Sequence, residues 1–327
     1  MTEPNGRSFA PGHFEERLRA GRFVVTAEIT PPVSASREDL LAKALPLKGL
    51  ADAVNVTDGA GARAHMSSLA AASILIENGI EPIVQFTCRD RNRIALQSDL
   101  LGAAALGVRN MLVLRGDDPK AGDQPDAKPV FDLESRQLMQ IAVGIRDRGE
   151  LPSGRKVAGK AQFFIGAADA PLDPPADWKP TSLRQKIEAG AQFAQTQFCM
   201  DPAIVRRYMR RLEEEGLGGK LYFLIGIAPL RTAKSASWMR EHLFGTIISD
   251  EIVRRMESAA DPESEGRKIA VELIAQLATI PGVCGAHVMA PNNEKALPEV
   301  LAAVSSLGRS PVTKPGVTGA SMDFAGV

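Results

Sequence analysis

Glu28 sits near the end of a short apolar run, Phe23-Val24-Val25-Thr26-Ala27-Glu28-Ile29, which Pro31 and Pro32 stop abruptly. A β-rich run halted by two prolines reads as a strand entering a loop. A carboxylate there is desolvated by its neighbours yet faces a strand mouth, which suits a general acid. Three further strand-like runs end in polar residues: Thr57-Asp58, Gln85-Phe86-Thr87 and Arg115-Gly116-Asp117. A fifth carries Gln197, within Gln195-Thr196-Gln197-Phe198. Taken singly, a strand-end carboxylate is more often a loop cap, and Arg115 with Asp117 reads as a rim ion pair of small energetic value. The recurrence favours one shared polar site.

The elements that must position these residues repeat as a strand and then a helix, about 30 residues apart, the length of a βα unit in a parallel sheet. Strands are expected at 24–29, 53–56, 82–86, 110–114, 161–165, 193–197, 221–227 and 286–290. Helices are expected at 36–50, 67–78, 93–106, 133–146, 183–189, 202–215, 232–242 and 294–305. Ser36 and Asp39 are spaced as a capping box, and Gly79 and Gly107 close their helices. Residues 250–279 read as two extra helices before the last strand. Eight such units without a break in composition favour an α/β fold, a single (β/α)8 TIM barrel with extra helices. A doubly wound open sheet is the alternative, because periodicity does not show closure. No G-x-G-x-x-G follows the first strand and no Walker A motif is present, which argues against Rossmann and P-loop sites. The expected division is an N-terminal arm over 1–20, the barrel over 21–308 and a flexible tail over 309–327. In a barrel the strand C-terminal ends converge on one face, which would gather Glu28, Thr57, Gln85, Arg115, Asp117 and Gln197.

Composition narrows the classes further. Lys plus Arg equals Asp plus Glu at 39 each in 327 residues, so nothing points to nucleic acid or an anionic membrane surface. No apolar run approaches the ~20 residues of a membrane span. Met1 to Gly12 is polar and lacks a secretory h-region, so the expected location is the cytoplasm. Cys88, Cys199 and Cys284 are widely spaced and read as core filler in a reducing compartment. Four histidines without an H-E-x-x-H pattern argue against a zinc hydrolase.

Several segments, in order, resemble the methylenetetrahydrofolate reductase family of flavin-bearing barrels. They are Ala27-Glu28-Ile29-Thr30-Pro31-Pro32, Val56-Thr57-Asp58-Gly59-Ala60, Phe86-Thr87-Cys88, Leu114-Arg115-Gly116-Asp117, and Lys186-Ile187-Glu188-Ala189-Gly190-Ala191 running into Thr196-Gln197-Phe198. The resemblance spans roughly residues 22–305. It implies that Glu28 is the general acid that opens the five-membered ring of methylenetetrahydrofolate, with a pKa raised beside Val25 and Ala27. It implies that Asp117 lies near pterin and flavin, and that Gln197 reads the pterin edge with its amide. Thr57, Asp58, Ala60, Gln85, Arg115, Gly116, Asp117 and Lys186 fall at flavin-binding positions, the cations suiting phosphate or electron-rich ring edges.

The chain departs from the commonest bacterial pattern. Asp58 stands where that form has tyrosine, and Gln85 where it has histidine. The tyrosine after the fifth strand is replaced near Ile165-Gly166, and an arginine after the eighth strand is replaced by Asn293. The run 86–97 is similar to reductases of anaerobic one-carbon pathways, a divergent bacterial branch. The resemblance implies FAD, or FMN in its place, with NADH as electron donor and a reduced folate as substrate. It also implies a homo-oligomer and, given the lost aromatic contacts, an electron-donating partner protein as a further option. The expected activity interconverts 5,10-methylenetetrahydrofolate and 5-methyltetrahydrofolate. The alternatives are a flavin-free folate-binding barrel, akin to a pterin methyltransferase, and a barrel subunit dependent on a redox partner.

Overall fold

The computed structural model describes residues 12–306. Helix α1 (His13–Arg19) precedes strand β1 (Val24–Ile29) and helix α2 (Arg37–Ala44). Next come β2 (Ala53–Val56), α3 (Ser68–Glu77), β3 (Pro82–Thr87), α4 (Arg93–Ala105), β4 (Asn110–Leu114) and α5 (Ser135–Val143). They are followed by β5 (Phe164–Asp169), α6 (Thr181–Glu188), β6 (Phe193–Met200), α7 (Pro202–Glu214), β7 (Tyr222–Ile227) and α8 (Ala233–His242). A two-residue strand β8 (Ile247–Ile248), helices α9 (Asp250–Glu257) and α10 (Pro262–Leu277), strand β9 (Val283–Val288) and α11 (Leu297–Ser306) complete the described residues.

All strand pairs are parallel, in the order β5-β4-β3-β2-β1-β9-β7-β6, and a β5–β6 pairing closes the ring. Closure removes the open-sheet alternative and establishes a single (β/α)8 barrel. The short β8 hangs on the far end of β6, pairing with Cys199 and Met200. Among the described residues, no helix is long and apolar enough to cross a membrane.

Helix starts follow local chemistry. The Ser36, Asn92, Asp201 and Asp261 side chains each accept first-turn backbone amides, satisfying donors that a helix leaves unpaired. Only half of the expected capping box forms at Ser36. Its hydroxyl takes the Asp39 amide, while the Asp39 carboxylate accepts from the Ser34 hydroxyl.

Strand alternation sorts side chains between the outer helix layer and the barrel interior. Val25, Ala27 and Ile29 join the outer core. The interior is graded along the barrel axis. Its floor is apolar: Val24, Ala53, Ile83, Leu112, Phe164, Phe193 and Leu224 pack together, and α1 plugs them with Phe14 and Leu18. The Phe14 ring meets the Phe193 ring edge-on at 5.3 Å. The Phe193 ring also fills the place a Cβ would take at residue 166, which explains a glycine in mid-strand. Above the floor lie buried polar residues, Thr26, Asn55, Gln195 and His287.

The strand expected at 161–165 instead spans 164–169, because its register is set by β4: Asn110 pairs with Phe164 and Val113 with Ala167. The helix expected to reach residue 146 ends as α5 at Val143 and continues as a π-helical turn, Gly144–Arg148. Of the expected arm, residues 12–20 are described and carry the α1 plug; residues 1–11 and the expected tail at 309–327 lie outside the described residues.

Candidate active site

A cavity of about 850 Å³ opens at the C-terminal ends of the strands. The candidate catalytic and binding residues named from the sequence all line it: Glu28, Thr57, Asp58, Ala60, Gln85, Arg115, Gly116, Asp117, Lys186 and Gln197; Asn293 and Ile165-Gly166 do not. A larger cavity, about 1000 Å³, lies outside the barrel between α4 and residues 151–161, and none of these residues borders it.

Glu28 is half-buried. Its Oε2 accepts a 2.7 Å hydrogen bond from Gln85 Nε2 and lies 3.5 Å from His287 Nε2. Val25 and Ala27, named above as its apolar neighbours, face the helix layer. Strand alternation turns Glu28 the other way, so the groups touching the carboxylate are an amide and an imidazole.

Just after β2, Thr57 is buried and its hydroxyl lacks a hydrogen-bond partner among the described residues. A buried unpaired hydroxyl on a cavity wall leaves hydrogen-bonding capacity for a ligand. Asp58 has little capacity left. It accepts from the Thr87 amide and hydroxyl, both at 2.9 Å, from Ser68 at 3.4 Å, and pairs with Arg91. Arg89, almost fully buried, reaches from the loop after β3 to the Gly59 carbonyl and to Asp90.

Arg115 lies over the Phe131 ring at 4.1 Å, and Phe131 has the unusual φ of +40°. Its segment is pinned on both sides, by Val130 to the Arg89 carbonyl and by Asp132 to Arg93. That bidentate contact holds the Asp132 carboxyl down at about 2. Asp117 is exposed and accepts the Gly61 amide at 3.2 Å, which ties the loops after β2 and β4 together.

Next to β4 in the ring and across the barrel from β1, Lys186 Nζ donates to the Ala168 carbonyl on β5 at 2.7 Å. Burial lowers the Lys186 pKa and raises that of Asp169. Asp169 ends β5 and accepts from the Tyr208 hydroxyl at 2.7 Å. Gln197 rides a register shift between β6 and β7. Its Oε1 accepts the Phe198 amide, and its side chain borders the cavity.

Cysteines contribute no chemistry here. Burial pushes the Cys88 and Cys199 thiols up to about 11 and about 12, keeping them protonated. Among the described residues, no cluster of His, Cys, Asp or Glu could hold a metal ion.

Sequence reasoning missed Asp169 because the fifth strand was placed too early. The tyrosine position assigned to Ile165-Gly166 falls inside β5, and the strand ends at Asp169. It also missed the polar groups beneath Glu28. Their signal was present as inward-facing polar residues within buried strands, Asn55 and His287 standing alone in theirs, Thr26 sharing β1 with Glu28 and Gln195 sharing β6 with Thr196 and Gln197.

The sequence profile of the methylenetetrahydrofolate reductase family matches residues 13–305. The 5,10-methylenetetrahydrofolate reductase of Pectobacterium carotovorum is 27% identical over 256 residues, 73% of this chain and 79% of that protein. The Salmonella typhimurium protein of the same name is 26% identical, covering 66% and 68%. A probable NADPH methylenetetrahydrofolate reductase of Caenorhabditis elegans is 27% identical over half of this chain, and the match spans 23% of that longer protein. Among solved structures, a Clostridium thermocellum protein described as binding two copies of 5-methyltetrahydrofolate superposes with a TM-score of 0.62. That likeness covers 90% of this chain and 98% of the other at 11% identity, and it concerns the fold. With its profile matched along nearly the whole described chain, this protein belongs to the methylenetetrahydrofolate reductase family.

Proposed function

We propose that this protein reduces 5,10-methylenetetrahydrofolate to 5-methyltetrahydrofolate, or runs the reverse oxidation. The observation that carries this reading is the meeting of Glu28, Asp117 and Gln197 around one cavity in a chain of this family. Glu28 holds a proton on the oxygen that Gln85 does not occupy and gives it to folate N10 as the N10–methylene bond breaks. The methylene carbon, now doubly bonded to N5, takes a hydride and becomes the methyl group. Glu28 is left as a carboxylate and regains its proton from solvent. The Gln197 amide offers both donor and acceptor to a pterin edge, and Asp117 sits at the rim to orient the ring.

The cavity wall fits a flavin in part. The unpaired Thr57 hydroxyl, Arg115 stacked on Phe131, and Lys186 suit a polar ring edge and a phosphate. A bound reduced flavin, FAD or FMN, would supply the hydride, with NADH as its reductant. A second reading, direct hydride transfer from a nicotinamide to folate without a flavin, is favoured by one observation. The segment after β2 that would line a flavin is already occupied, Asp58 by Thr87 and Arg91 and the Gly59 carbonyl by Arg89.

The test is a visible spectrum of the purified protein with and without added FAD, followed by anaerobic NADH titration and then methylenetetrahydrofolate. Flavin absorbance bleached by NADH and restored by the folate supports the first reading. A colourless protein that oxidises NADH only when the folate is present supports the second. Absence of turnover in both directions, with every donor and acceptor, would overturn the assignment.

A further inference from the structure

Beneath Glu28 the barrel buries a chain of polar side chains joined by short hydrogen bonds. Asn55 Nδ2 donates to Gln195 Oε1 at 2.6 Å, and Gln195 Nε2 returns a bond to Asn55 Oδ1 at 3.0 Å. This reciprocal pair ties the two amides together, since turning over one alone would face oxygen to oxygen and nitrogen to nitrogen; as they stand, Gln195 points its nitrogen at Thr26. Gln195 Nε2 gives its second hydrogen to Thr26 Oγ1 at 3.1 Å. An amide nitrogen has two hydrogens, so none is left for His287 Nδ1, 3.3 Å away.

Thr26 accepts from Gln195 and therefore has its own hydrogen to give. His287 Nδ1 lies 2.9 Å from its hydroxyl oxygen and accepts it. In that arrangement a neutral imidazole carries its hydrogen on Nε2, because the bond at one ring nitrogen sets the state of the other. That nitrogen faces Glu28 Oε2 at 3.5 Å, a separation open to shortening when substrate binds. The same oxygen already accepts from Gln85 Nε2 at 2.7 Å. Two donors thus converge on Oε2, and the carboxylic proton belongs on Oε1.

We propose that His287 is a positioning residue for Glu28: held as the Nε2–H tautomer by Thr26, it directs the carboxylic proton to Oε1. The proposal rests on the reading of Glu28 as the acid. His287 is almost fully buried at the edge of the cavity, beneath Glu28, and acts through it.

The experiment joins spectroscopy to a mutant cycle. In the wild-type protein, 15N NMR of His287 should show a protonated Nε2 and a bare Nδ1; the opposite tautomer would overturn the proposal. His287→Asn keeps an acceptor towards Thr26 but loses the donor towards Glu28. It should lower kcat on the order of 10²-fold with KM unchanged, as a misplaced catalytic group does. His287→Gln restores a donor near the Nε2 position and should recover most of kcat. In a Glu28→Gln background, His287→Asn should cost nothing further. An equal loss in both backgrounds, or full activity of His287→Asn, would refute the positioning role. If His287→Asn does not fold, Thr26→Val serves instead, because losing the hydroxyl frees the tautomer while preserving shape; unchanged kcat there would count against the proposal. Near-normal turnover of Glu28→Gln alone would instead sink the acid assignment on which the proposal rests.

Discussion

The Gly226 amide donates to the Thr196 hydroxyl at 2.9 Å, at the point where the β6–β7 pairing loses its regular register. A Cβ at residue 226 would stand 2.4 Å from the Thr196 carbonyl oxygen and 2.7 Å from that of Gln197. The close approach of two backbones therefore shapes the bulge that carries Gln197, and bulges re-aim side chains beside active sites.

Gly226→Ala should push the strands apart, destabilising the protein by about 1–3 kcal/mol and raising KM for folate through the displaced Gln197. Denaturant melts and steady-state kinetics check both effects. A variant with wild-type stability and KM would show that the bulge does not depend on this contact.

Glu28→Gln keeps size and shape and still faces Gln85, so melting should change little. Turnover should fall by about 10²–10⁴-fold, the usual worth of a general acid, while methyltetrahydrofolate still binds. Comparing kcat with a binding isotherm on the same preparation tests this, and parallel loss of both would point to a binding role alone.

The α1 plug should serve stability and leave chemistry untouched. Phe14 is fully buried against Phe164 and Phe193, at the opposite end of the barrel from the cavity. Phe14→Ala should cost about 3–5 kcal/mol while kcat, measured well below the new melting temperature, stays unchanged.

Glu81 gives a pH signature. It accepts from the Phe14 amide and from Asn110 Nδ2, and burial raises its pKa above the ordinary 4.5. A carboxyl raised in the fold favours folding most when protonated, so its contribution is full below about 4.5 and is lost as pH rises through the folded value. Glu81→Gln lacks that loss. The melting temperature of the variant minus that of the wild type should therefore increase as pH rises from about 4 to about 7. A flat or falling difference would contradict the shift.

Much of this architecture was legible because strands and helices alternate with clear punctuation. β1, β2 and β4 fall where their apolar runs and flanking Pro, Gly or polar residues put them. The gathering of the candidate residues around one cavity was legible because they stand at strand ends and a barrel brings strand ends together. β5 was misplaced because Ala161-Gln162-Phe163 looks as strand-like as Phe164-Ile165; what decides is pairing with Asn110 and Met111, a long-range register. That slip hid Asp169. The network of Thr26, Asn55, Gln195 and His287 was hidden for a different reason. Each sits on a different buried strand, and their meaning lies in a mutual geometry that spans 261 residues between Thr26 and His287.

The central claim is that reduced folate binds among Glu28, Asp117 and Gln197. Its most direct test is a crystal structure with 5-methyltetrahydrofolate bound. The account predicts the pterin edge on the Gln197 amide and folate N10 within about 3.2 Å of Glu28 Oε1, or one water away. A folate seated elsewhere, such as the groove between α4 and residues 151–161, with the barrel mouth open to solvent, would contradict it.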